Sequence, residues 1–266
     1  MHRNKLRTKP GLLPLQDPAG NFSGPAVRCS AAAMAKSGII KHRHQWILPM
    51  YIPRHYEETR LEVLQQLMQA HPLATIITQG PDGLSANHIP LHLDASAGEF
   101  GTLRGHVARA NGLWRELGDS ETLVIFHGPN AYVSPQWNPA KAQHGKAVPT
   151  WNYAVVHCHG VWRVLDTPVA ARKNVDELSA THEAGFERPW TLEEAPPDYT
   201  EKMLAAIVAI EMPIARVSGK WKISQNHPAV AQQGVLDGLH ARADSDSLQM
   251  AALMTEHQRS RNNGRD

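Results

Sequence analysis

The chain has 266 residues, 42% of them hydrophobic and 20% charged, with a formal net charge of +2. That length suits one large domain with additions, the hydrophobic share supplies a sizeable core, and wholesale disorder is excluded. The charge is too mild to argue for nucleic acid, no stretch approaches the roughly eighteen apolar residues of a membrane helix, and Cys29 and Cys158 form neither a disulfide framework nor a CxxC zinc site, so a reducing cytoplasm is the expected compartment.

Residues 1–49 are rich in Gly, Pro, Ser, Ala and basic side chains, and hold no period of 2 or 3.6. They read as a flexible extension, and Met50 as a natural start of organised sequence. Lys5, Arg7 and Lys9 precede a stretch broken by Pro and Gly, so no secretory leader is expected. From His55 to Ala70 the pattern is helical: Leu61, Leu64, Leu67 and Met68 share a face, Glu57, Glu58 and Glu62 crowd the early turns, and His71-Pro72 ends it. A hairpin follows, with alternating residues on either side of Gly80-Pro81-Asp82-Gly83. Phe100–Val107 and Glu121–His127 read as further strands, with a helical stretch over Arg109–Leu117 between them. Trp151–Leu165 is a long strand or strand pair bent near Gly160.

Beyond it, Pro168–Ala184 and Asp198–Ala209 read as helices, Met212–Val217 and Trp221–Gln225 as strands, and Pro228–His240 as a helix. Residues from Ala241 onward are mostly polar and expected to fray. The domain plan is therefore an extension (1–49), a core domain (50–240) and a polar tail (241–266). Short strands at close spacing followed by helices suggest an α+β fold, a small antiparallel barrel with helical additions.

The segment Leu103–Trp114 passes from strand to helix and places His106, Arg109 and Asn111 at the join. Unpaired N–H groups and a guanidinium at such a place suit an anion; a solvated loop arginine is the plainer alternative. Histidines number 16. His157 and His159 flank Cys158 and share a strand face, where His127 or His106 could complete a metal site. No carboxylate stands at ligand spacing, no HExxH occurs and His182-Glu183 stands alone, so no metal is expected. Nor is there a GxSxG, P-loop or GxGxxG motif. In Val148–Tyr153 the alternation puts Trp151 and Tyr153 on one face and Asn152 on the other, a surface for a planar ligand or for ordinary packing. In Lys220–Asn226, Lys220, Lys222, Ser224 and Asn226 share one face, and Trp221, Ile223 and Gln225 the other.

These blocks, MYIPRHYEE, NHIPLHLD, LRGHVARANGLW, VIFHGPNAYVSPQW, VPTWNYAVVHCHG and KWKISQN, stand in the same order as in the PaiB-type FMN-binding negative transcriptional regulators, which the chain resembles from Met50 to about Gly238. The resemblance implies an FMN-binding split β-barrel, six-stranded, antiparallel and Greek-key-like, and a homodimer with FMN in the groove between subunits. It implies that Arg109, with Asn111 and His106 beside it, holds the phosphate, and that Asn87, His88 and Ile89 add contacts. It further places Trp151, Asn152 and Tyr153 near the flavin, with Lys222, Gln225 and Asn226 supplied by the partner subunit. The implied role is repression of transcription. Lys220, Lys222 and the basic N-terminal segment are the candidate DNA contacts, although no helix-turn-helix is visible. A flavin-dependent oxidoreductase, with His88, His106 or Tyr153 as proton donors, is the alternative, and a haem-binding barrel a more distant one.

Overall fold

The computed structural model describes residues 50–118, 120–139, 141 and 145–263. After a short 3₁₀ turn, Arg54–Tyr56, the elements run β1 (Glu57–Glu58), α1 (Leu61–Ala70), β2 (Leu73–Gly80), β3 (Gly83–Pro90), β4 (His92–Asp94), β5 (Thr102–Ala108), α2 (Leu113–Glu116), β6 (Thr122–Val133) and β7 (Thr150–Gly160). Then come β8 (Arg163–Leu165), α3 (Pro168–Glu183), α4 (Pro197–Ala205), β9 (Ile207–Pro213), β10 (Arg216–Lys222), α5 (Ala229–Arg242) and α6 (Ser245–Asn263). No described helix is long and apolar enough to cross a membrane.

The strands form two antiparallel sheets, β1-β10-β7-β6-β2-β3 and β4-β5-β9-β8. Their inner faces share one hydrophobic cluster, to which the larger sheet gives Ile76, Val124, Phe126 and Val156 and the smaller gives Leu103, Val107, Ile210 and Met212. Period-2 alternation explains the arrangement. In β2, Ala74, Ile76 and Thr78 turn inward while Thr75 and Ile77 turn outward, half-exposed. The chain is α+β, as expected, and the larger sheet has the expected six strands, although neither sheet closes on itself.

Two glycines make the packing possible. Gly128 lies at a bulge in β6, where the register with β7 shifts between His127 and Asn130; a Cβ there would meet Leu67 Cδ1 of α1 at 2.7 Å. Gly160 ends β7 where the chain leaves the large sheet for the small one, and a Cβ there would sit 2.5 Å from Pro213 O.

Several elements differ from their sequence patterns. The helix beginning near Asp198 stops at Ala205, because Ile207, Val208 and Ile210 gain more as β-branched residues paired along β5 than in another helical turn. Met212–Val217 divides between β9 and β10, joined by Ile214 and Ala215. The amides of these two residues bond to Gly101 O at 3.0 Å and His159 O at 2.8 Å. Only Leu113–Glu116 of the stretch Arg109–Leu117 is helical, and β6 continues past its bulge to Val133. The segment expected to fray is largely the helix α6, with Met250, Ala251 and Met254 buried at 0–1% exposure. Ahead of it, Asp244 accepts from Ser247 N at 2.9 Å and Ser247 Oγ at 3.0 Å. Its buried stripe is narrow, so its composition stays polar while its contact with β6 does not. Residues 1–49, expected to be an extension, lie outside the described residues.

Candidate functional site

The pairing of β7 with β10 sets Tyr153 opposite Lys222 and Ala154 opposite Trp221, and so brings the two C-terminal sequence blocks together. Lys222 Nζ donates to Thr150 Oγ1 at 2.5 Å and to Trp151 O at 2.6 Å. Burial, aided by the neighbouring Lys220 charge, holds its pKa below the ordinary lysine range. Past Lys222 the alternation ends: Ser224 adopts φ +66°, and the chain turns. Ser224 is thereby buried rather than aligned with the two lysines, and it exchanges hydrogen bonds with Asn152.

Gln225 is spent on this turn, accepting from Ile223 N at 2.8 Å and donating to Trp221 O. Asn226 Oδ1 accepts from Tyr56 OH at 3.0 Å. Tyr56, Thr150, Asn152, Lys222, Ser224 and His227 line a cleft of about 240 Å³. Trp151, 50% exposed, donates from Nε1 to Asn130 Oδ1 at 3.1 Å and meets Tyr132 edge to face at 6.0 Å. Trp151 and Tyr153 therefore share a face and Asn152 lies on the other, as the alternation predicts. Lys220 Nζ donates to Tyr51 O at 3.0 Å and lies 5.4 Å from the Tyr153 ring centre. Both lysines singled out as DNA candidates thus have partners within the chain.

The remaining predicted residues have partners elsewhere. Asn111 donates to Asn87 Oδ1 at 2.9 Å and accepts from Leu113 N at 2.9 Å. His88 shares a hydrogen bond with Thr75, and Ile89 is a core residue at 7% exposure. His106 Nδ1 and Asn174 Oδ1 lie 2.7 Å apart and share a hydrogen bond. No described hydrogen bond joins these residues to the cleft at Lys222.

Arg109 has partners that the anion corner did not anticipate. Its guanidinium grips Asp166 through two bonds of 3.0 and 2.6 Å and reaches Ala205 O at 2.8 Å and Ile207 O at 3.1 Å. Its pKa is raised by the bond to Asp166, whose carboxyl is held below the usual range in return. An anion at this corner has to displace a carboxylate already in place. The four-residue α2 offers no open N-terminus either, because the Asn111 side chain takes the Leu113 amide. Nothing in the residues around Arg109 marks Asp166, which lies 57 positions away.

The histidine face is electrically quiet. Burial, then the neighbouring His159, His127 and Lys220, pushes His157 down to about 4, and burial also lowers His159. No group of three His, Cys, Asp or Glu side chains is placed to hold a metal among the described residues. Cys158 points to the opposite face, where its Sγ meets Met68 Sδ at 3.3 Å, and burial pushes its thiol pKa far up. Around the half-buried His157, the outer face of the large sheet is mixed, with Thr75, His88, His127 and Lys220 on it beside apolar side chains. Ile77, Leu123, Ile125 and Tyr153 are half-exposed there, and Leu73 and Leu84 fully exposed.

Comparison with known proteins gives a consistent family. The family described as "Putative FMN-binding domain" matches residues 50–216. A protein of Emericella nidulans is 33% identical over 226 residues, covering 71% of this chain and 90% of that protein. The Bacillus subtilis "Protease synthase and sporulation protein PAI 2" is 28% identical over 208 residues, covering 78% of this chain and 97% of its own length. Among solved structures, the FAD and heme binding protein of Mycobacterium smegmatis is similar at 20% identity and a TM-score of 0.45, over 63% of this chain and 73% of that one.

Proposed function

The chain belongs to the FMN-binding domain family of PaiB type, and we propose that it works as an FMN-binding homodimer with a regulatory role. The observation that carries this reading is the environment of Lys222. Its ammonium group has three N–H donors, two of them engaged by Thr150 and Trp151, and the third remains for an anionic or carbonyl group in the cleft. Charge-assisted bonds of that kind contribute about 1.5–3 kcal/mol each.

The residues present fit a flavin nucleotide. The exposed indole of Trp151 and the half-exposed ring of Tyr153 offer aromatic surface on one face of β7, and Lys222, paired with Tyr153 across β7 and β10, supplies positive charge. FMN, when bound, supplies one- and two-electron redox chemistry that no side chain of the protein provides. The protein's own part is to bind and orient. Thr150 and Trp151 O fix the ammonium, and the Asn152–Ser224 pair fixes the turn behind it.

Size supports the dimer. A cleft of about 240 Å³ is smaller than the roughly 300–1,000 Å³ of pockets that enclose a drug-sized ligand, which favours a site completed by a second chain. On the outer sheet face, Ile77, Ile125, Leu73 and Leu84 are the apolar side chains that a second copy would cover. The regulatory part draws on the name of the Bacillus subtilis relative, a sporulation protein.

Absorbance of the purified full chain, FMN titration by fluorescence quenching, and sedimentation test the reading together. A dimer that binds FMN stoichiometrically and is not bleached at a catalytic rate by NADPH supports it. A chain that does not bind FMN refutes it, a monomer refutes the shared site, and rapid turnover on NADPH favours the oxidoreductase.

A further inference from the structure

A second hollow, of about 320 Å³, lies between α1 and α6 and shares no lining residue with the cleft at Lys222. Its floor consists of Leu67, Pro129 and Trp221. Pro129 reaches it because the β6 bulge pushes the chain out of register at this point. Ala70 of α1 and Ala252 of α6 are among its lining residues, each short and exposed, so a longer side chain at either would reduce its volume.

The mouth is polar and bears charges of both signs, Arg60 and the exposed Glu256 among its lining residues. Arg60 is held by Glu58, a carboxylate only 6% exposed, through bonds of 2.9 and 2.6 Å, so its charge is already answered. His257, half-buried beside it, has its pKa lowered by burial and is neutral at pH 7, with one donor and one acceptor. The volume falls within the range of small-molecule sites, and an apolar hollow gains more from an organic ligand than from water.

We propose that this hollow binds a small, uncharged, mainly apolar molecule of bicyclic-aromatic size that carries one hydrogen-bonding group. Apolar carbon meets Leu67, Pro129 and Trp221, and the polar group faces His257 at the mouth. The proposal is independent of the flavin reading, because the two hollows have separate walls.

Indole is a suitable probe, being uncharged, bicyclic and equipped with a single N–H. Its binding to the full chain is measured by calorimetry and by saturation-transfer NMR, with and without FMN. The expected result is saturable binding at one site per chain, equal in both conditions. Ala252→Trp should weaken it at least tenfold, with the circular dichroism spectrum and sedimentation unchanged. Ala70→Leu, which fills the hollow from the other wall, should act in the same direction. Both alanines are exposed, so neither change disturbs the core. The proposal is overturned if indole fails to saturate, if both variants bind it as the parent does, or if Ala252→Trp changes the oligomeric state, which would make the hollow a contact between copies.

Discussion

Asn152 and Ser224 exchange two hydrogen bonds, Nδ2 to Oγ at 3.0 Å and Oγ to Oδ1 at 3.1 Å, with both residues at most 4% exposed. The pair joins β7 to the turn after β10, and that turn closes the cleft beneath Lys222. Asn152→Ala leaves the Ser224 hydroxyl buried and unanswered, and should cost about 1–3 kcal/mol. Urea denaturation measures it; a loss under about 0.5 kcal/mol would mean that water replaces the amide without penalty.

Lys222→Ala should weaken FMN binding by roughly tenfold or more, as expected for one lost charge-assisted bond. Arg109→Ala should have the smaller effect, because its guanidinium is committed to Asp166 and two backbone carbonyls. Fluorescence titration of both variants ranks them. The reverse order would return the phosphate to the Arg109 corner.

Histidine burial makes the fold acid-sensitive. His157 protonates only near pH 4 in the native protein, against an ordinary value of 6.5. Between those values the unfolded chain takes up a proton that the native chain refuses, so the His157 contribution lowers stability as pH drops from 6.5 towards 4 and is complete below, where the carboxylates held under their usual range, Asp166 among them, carry the decline further. His71, His159 and His257 are shifted in the same direction and add to the slope. His157→Gln should make the decline shallower. Unfolding midpoints measured across that window test it, and an unchanged slope would show that His157 titrates normally.

Removing residues 243–266 should destabilise the protein severely. The deletion strips Met250, Ala251 and Met254 from the core, and burial of the two methionines alone is worth roughly 3–6 kcal/mol. Thermal melts and solubility of the truncated chain provide the measurement; a melt within a few degrees of the parent would contradict the packing described for α6.

Legibility in the sequence followed locality. The β2–β3 hairpin, β5 and the helix α3 show in their own periodicities, because period and turn chemistry act over a few residues. The helix α6 was hidden: its buried stripe uses two methionines and an alanine in an otherwise polar segment, too narrow to raise the average. At the site, Thr150 and Asn152 stand in a block whose aromatics suit a planar ligand, whereas Lys222 stands in one that only the family resemblance ties to the flavin. Their meeting depends on the β7–β10 register, which neither block encodes alone. Ser224 carries a positive φ without being Gly or Asn, so no turn signal marked it.

The grip of Arg109 has a consequence in time as well as in structure. Its bonds reach partners 57, 96 and 98 positions away, tying the end of β5 to the lead-in of α3 and the junction of α4 with β9. Links across such separations pay a large loop-closure cost and form late, after the local hairpins have set. Interactions that are absent from the folding transition state act on the rate of escape. Arg109 is thus placed to lengthen the lifetime of the folded chain while leaving the speed of folding almost untouched.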